Sequence, residues 1–109
     1  MIRHASSRKT VFRQERRVAS DLGGKRQVGS GNMWHSKGDV TSRKYLIECK
    51  QTGSKSYGLS LQVLDKIGSE AAKVAKEPLL QVDFLRGNRI DSFMVVPYHL
   101  FLELIQGGQ

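Results

Sequence analysis

Asp39, followed after eight residues by Glu48-Cys49-Lys50, is the grouping in this sequence best suited to chemistry. If the two acids lie on adjoining strands of a hairpin, their carboxylates come within reach of one ion. Oxygen ligands of this kind suit Mg²⁺ or Mn²⁺ rather than zinc, and the backbone carbonyl of Cys49 offers a further ligand. Lys50 shares a strand face with Glu48, so its ammonium can meet an attacking water or a strained phosphate. Acids with one adjacent cation match the needs of phosphodiester hydrolysis, an activated water and a neutralised pentavalent charge. The same short spacing equally suits a plain salt bridge between Glu48 and Lys50. The apolar strand around them raises the specificity of the pattern, because unpaired charge is expensive there.

The hairpin follows from the residues on either side. Gly38–Thr41 and Tyr45–Lys50 read as two strands joined around Ser42-Arg43-Lys44. In the second, Tyr45, Ile47 and Cys49 point one way and Leu46, Glu48 and Lys50 the other. Apolar residues on both faces make it a central strand. Upstream, Val11, Val18 and Leu22 recur at helical spacing from Thr10, and Gly23-Gly24 supplies a stop. Glu15 falls on that same stripe, which places an acid on the face turned to the core or a cleft. An acid of the helix's first turn, favoured by the dipole, is the other reading. Lys25–Gly29 reads as a short strand and 29–32 as a turn.

Downstream, 51–58 reads as a polar loop. A helix runs from Ser60, as N-cap, to Ala75, and Pro78 forbids its continuation. Leu79–Leu85 and Ile90–Val96 are strands flanking the turn Arg86-Gly87-Asn88-Arg89, and Pro97 opens a helix over Tyr98–Ile105. The order α-β-β-β-α-β-β-α implies an α/β fold, a mixed central sheet flanked by helices.

Positive charge is concentrated in the first half of the chain. The 109 residues carry a formal charge of +8, distributed as +6 over residues 1–26, +3 over 27–62 and −1 over 63–109. A basic first half is the footprint of a surface that meets phosphates, or else an ordinary solvated face. The length fits one domain, with residues 1–9 as a mobile basic arm and 106–109 as a flexible tail. One cysteine builds neither a disulfide nor a cysteine-rich zinc site, and Cys49 reads as a small core residue. With no apolar run long enough to span a bilayer and no leader-like opening, the expectation is a soluble, cytoplasmic protein with no membrane partner. His4, His35 and His99 lack ligand spacing, and Trp34 could stack on an unpaired base. Gln62, early in the second helix, either faces the site or lies on the surface.

Asp39, Glu48 and Lys50 match the D…(D/E)xK pattern of the PD-(D/E)xK nuclease superfamily, with Gly38 where a proline often stands. Over roughly residues 10–100 the chain resembles the archaeal-type Holliday-junction resolvases of that superfamily. Glu15-Arg16 matches a Glu-Arg pair in their first helix, and Arg26 with Gly29-Ser30-Gly31 matches an arginine ahead of a Ser/Gly-rich turn. Ile47-Glu48-Cys49-Lys50 resembles the strand that follows.

The resemblance implies a restriction-endonuclease-like core and a Mg²⁺-dependent DNA endonuclease, with Mn²⁺ as a substitute metal. It would resolve four-way junctions by paired symmetric nicks, in a prokaryotic or phage-infected cell and without a small-molecule cofactor. Asp39 and Glu48 would bind the metal, Glu15 would complete the acidic site, and Lys50 would assist the water. Arg16, Arg26 and Ser30 would hold the scissile phosphate or the neighbouring strand, with Arg8, Lys9, Arg13, Lys37 and Lys55 as further DNA contacts. Two symmetric nicks imply a two-fold homodimer, for which Phe93–Ile105, especially Tyr98, Leu100, Phe101 and Leu104, supplies apolar surface. Another PD-(D/E)xK nuclease, of restriction or repair type, and a non-catalytic basic nucleic-acid-binding module remain the alternatives.

Overall fold

The computed structural model describes residues 8–27 and 39–107, with side chains from residue 10 onward. Among these described residues three helices, α1 (Arg8–Leu22), α2 (Leu61–Lys73) and α3 (Tyr98–Gly107), flank a sheet of β1 (Lys25–Arg26), β2 (Val40–Thr41), β3 (Tyr45–Thr52), β4 (Glu77–Arg86) and β5 (Arg89–Val95). The five strands lie in sequence order. The β3–β4 pair is parallel and the other three pairs are antiparallel. A parallel pair needs a crossover, and α2 is that crossover.

Alternation along the strands sorts the core into two halves. Ile47 and Cys49 of β3 and Leu79 of β4 pack with Val18 and Ala19 of α1 and Leu100 of α3. On the other face Leu80 and Val82 meet Ile67 of α2. The fold is therefore a mixed α/β sheet between helices, as the element order predicts.

Local chemistry sets the boundaries. Gly23 ends α1 at φ +65°, a left-handed conformation glycine adopts without steric cost. Gly24 then passes so close to β2 that an added Cβ would overlap the Thr41 carbonyl oxygen. Ser60 caps α2 by accepting the Val63 amide at 3.2 Å.

Several expectations are corrected. Arg8 and Lys9 belong to α1 rather than a mobile arm, while residues 1–7 lie outside the described residues. Gln51 and Thr52 extend β3, because the parallel ladder with β4 continues to Thr52 opposite Phe84. The first short strand ends at Arg26, α2 stops at Lys73, and α3 continues through Gln106 and Gly107 of the supposed tail. Glu15 stands eighth in α1, two turns in, so it is no first-turn acid.

Candidate acidic site at the edge of the sheet

The site is built where β2 runs out. Val40 pairs with Ile47, so Asp39 arrives opposite Glu48, one residue beyond the strand. The Asp39 amide donates to the Ile47 carbonyl at 2.9 Å, and its own carbonyl accepts from Gln27 at 2.9 Å. Its carboxylate replaces the missing ladder, with Oδ2 accepting the Cys49 amide at 2.8 Å. Asp39 is thereby fixed beside Glu48 and Cys49, but just outside the strand expected to carry it: Ser42 pairs with Tyr45, so the turn is Arg43-Lys44 rather than Ser42-Arg43-Lys44.

Glu15 and Glu48 approach this point from opposite faces. Glu15 lies on the α1 face, only 6% exposed, with Arg26 Nε 3.0 Å from its Oε1. The Arg26 guanidinium also lies 4.3 Å from the Phe12 ring centroid. Glu48 projects on the α2 face, with Lys50 Nζ 3.4 Å away. Both glutamates are pushed above the ordinary carboxylate value. Burial is the larger cause in each; Arg26's hydrogen bond partly offsets it for Glu15, and the Asp39 charge adds to it in both. Glu70 of α2 raises Glu48 further, and Lys50 opposes the rise. Asp39 is thus the charge both glutamates feel.

The three acids are not drawn into one tight cluster. Among the described residues no group of three His, Cys, Asp or Glu side chains is gathered closely enough to hold a metal. Each acid has its own partner here, Arg26 for Glu15, the Cys49 amide for Asp39 and Lys50 for Glu48. Their chemistry, though not their spacing, is that of a Mg²⁺ or Mn²⁺ donor set. All are oxygens, two are desolvated, and a divalent cation would relieve the repulsion centred on Asp39. Cys49 itself is buried among apolar residues and its thiol is pushed up, mainly by burial, as expected of an inert core residue.

Residues not legible as site residues complete the surroundings. A cleft of about 170 Å³ beside Glu48 and Lys50 is bounded by Tyr57 and by Val63, Lys66, Ile67 and Glu70 of α2. Gln62 is exposed and does not line it. Gln14, 2% exposed, donates to the Lys50 carbonyl and to Gln81 Oε1, each at 2.7 Å. It therefore ties the helix bearing Glu15 to the strand bearing Lys50. Gln81 in turn donates to Asp83, which also accepts from Ser92 at 2.6 Å and pairs with Arg17. Gln14 and Arg17 occupy helical positions three apart, a polar stripe that looks like solvent face until β4 supplies its partners.

Among the proposed DNA contacts, Arg13, Arg16 and Lys55 are exposed, whereas Arg26 is turned to Glu15. Arg8 and Lys9 lie in α1 without described side chains, and Ser30 and Lys37 lie outside the described residues, as do Trp34 and His35. No helix among the described residues is long and apolar enough to cross a membrane. No protein-family model, curated protein or solved structure matches this chain.

Proposed function

We propose that the chain is a Mg²⁺-dependent structure-specific DNA endonuclease with a restriction-endonuclease-like core, resolving four-way junctions by paired nicks. One observation carries this reading. Asp39 is anchored at the sheet edge on the Cys49 amide, where both Glu15 and Glu48 feel its charge, and Lys50 stands beside Glu48 in a chain of charge +8.

Asp39 and Glu48, with Glu15 and the Cys49 carbonyl, would hold the ion. When bound, Mg²⁺ supplies an activated water and neutralises charge on the phosphate. The chain's own residues do the rest. Lys50, with its side chain 44% exposed, can turn from Glu48 to a phosphate oxygen or orient the attacking water. Arg16, Arg13 and Lys55 offer exposed charge to flanking phosphates. Gln14 holds α1 against β3, keeping Glu15 in register with Lys50.

Paired nicks call for two copies, and α3 offers the surface. Tyr98, Phe101, Leu104 and Ile105 are 76%, 49%, 47% and 54% exposed and recur at three- and four-residue steps. Leu100, expected in the same surface, is instead 2% exposed and anchors α3 to the core. A stripe so apolar stays out of water when a second copy covers it.

The test is cleavage of a synthetic four-way junction and of its component duplexes in Mg²⁺, by the wild type, Asp39→Asn and Glu48→Gln. Junction-selective cutting by the wild type, lost in both variants, is expected. Equal rates on junction and duplex would move the assignment to a restriction- or repair-type nuclease of the same superfamily. A second reading, a non-catalytic basic module, draws on the separate partner of each acid. Junction binding without cutting in Mg²⁺ or Mn²⁺ would establish it.

A further inference from the structure

Phe93 lies in β5 opposite Val82, on the sheet face that carries α2. It is nevertheless 62% exposed. Most of the stabilisation that burying such a ring would bring is forgone in the isolated chain. Its neighbour Phe84 meets it edge to face, ring centroids 6.1 Å apart and planes at 82°. The two rings floor a hollow of about 540 Å³, rimmed by Ser54 and Lys55 of the loop after β3 and by Arg86 and Asp91 of the β4–β5 hairpin. That size is within the range of ligand sites, about 300–1,000 Å³.

The rim is cationic. Asp91 accepts from Arg86 at 2.8 Å and from Arg89 at 3.1 Å, so two guanidiniums share one carboxylate and one positive charge is left over. Lys55 adds another. A second copy of the chain is a poor occupant, since a two-fold contact here would set these like charges against each other. A polynucleotide supplies a π face for the ring and phosphates for the rim.

We propose that Phe93, backed by Phe84 and flanked by Lys55 and Arg86, is a stacking site for an unpaired nucleobase of a single-stranded or locally opened polynucleotide. The site opens on the same sheet face as Glu48 and Lys50. Lys50 is in register with Val82 and Val82 with Phe93, so at strand spacings of about 4.8 Å the Phe93 backbone lies roughly 10 Å from that of Lys50. One bound strand can then reach both. The inference rests on the nucleic-acid part of the proposed function and needs no catalysis.

The test uses the full chain in EDTA at low salt, with oligothymidylate and oligouridylate as probes and a 2-aminopurine-substituted strand as reporter. Phe93→Leu keeps the apolar bulk and removes the ring. It should weaken single-strand binding about 5- to 100-fold while changing blunt duplex binding less than 2-fold, and Phe93→Trp should restore the loss. The 2-aminopurine emission should be quenched by the wild type and not by Phe93→Leu. Lys55→Gln, on an exposed side chain, should lower the slope of log affinity against log salt by about one. Wild-type affinity in Phe93→Leu, or an unquenched reporter at saturation, would overturn the site. The ratio of the two probes separates DNA from RNA as the strand held. Stacking without junction cleavage sinks the nuclease reading alone; cleavage without stacking sinks this one alone.

Discussion

At the scale of single residues, Glu48 is held in a state its fold disfavours. Burial and the Asp39 charge raise its carboxyl above the ordinary value, so the folded chain holds that proton more tightly than the unfolded chain does. Stability is therefore greatest when the group is protonated. It falls as pH rises from the ordinary value near 4.5 through the raised one. Glu48→Gln should accordingly be more stable than wild type at pH 7.5, with the advantage gone at pH 4. The lost Lys50 contact subtracts at most about 1 kcal/mol, because Lys50 is largely in water. Urea melts of both proteins at the two pH values check the sign. An ion bound among these acids reverses the penalty. Mg²⁺ at ~100 times its dissociation constant should raise wild-type stability by about 2.7 kcal/mol at pH 7.5, and Asp39→Asn should lose most of that gain.

At the scale of elements, α1 is held by two different faces. Val18 and Ala19 are buried with the apolar core, while Gln14 and Arg17 meet the polar ends of β3 and β4. Asp83, fully buried, gathers Arg17, Gln81 and Ser92, and Asp83→Ala strands all three. The cost should be about 3 kcal/mol, the lower end for a broken buried pair, because Arg17 is 38% exposed and can turn to water. Chemical denaturation with an unchanged m-value would bear that out. A gain should come at the other helix. Ala75 follows α2 at φ +57°, where a Cβ is strained, and Ala75→Gly should stabilise by roughly 0.5–1 kcal/mol, seen as a higher melting temperature. These two sites also mark what sequence reasoning reaches. The Gly23-Gly24 stop, the Ser60 cap and the β2–β3 hairpin are local, so periodicity and turn chemistry reveal them; the hairpin's register, which sets Asp39 opposite Glu48, depends on a turn one residue shorter than the spacing suggests. Asp83 and Gln81 sit in a strand that reads as apolar, and their partners on α1, Arg17 and Gln14, are more than sixty residues away. Only the fold brings them together. Residue spacing likewise puts Glu15 on an inward stripe, but it does not tell which face of the sheet that stripe meets.

For the whole molecule, charge and exposed apolar surface lie in different parts of the chain. The +9 carried by residues 1–62 contrasts with −1 over the remainder, which includes α3 and its four exposed apolar side chains. A dimer joined through α3 would leave the basic residues of α1 and the loop after β3 free to meet phosphates. Because Tyr98, Phe101, Leu104 and Ile105 are exposed while α3 is held by the buried Leu100 and the His99–Glu77 contact, a charge placed in the stripe should spare the protomer's fold. Phe101→Glu should therefore melt within a few degrees of wild type yet sediment as a monomer at concentrations where wild type is dimeric. On a cruciform plasmid the coupling between nicks should fail with it. If two copies cut within one bound complex, wild type should give linear product directly, whereas the variant should accumulate nicked circles first. A wild type that sediments as a monomer, or a Phe101→Glu variant that stays dimeric, would remove α3 from the interface and leave its apolar stripe to another partner.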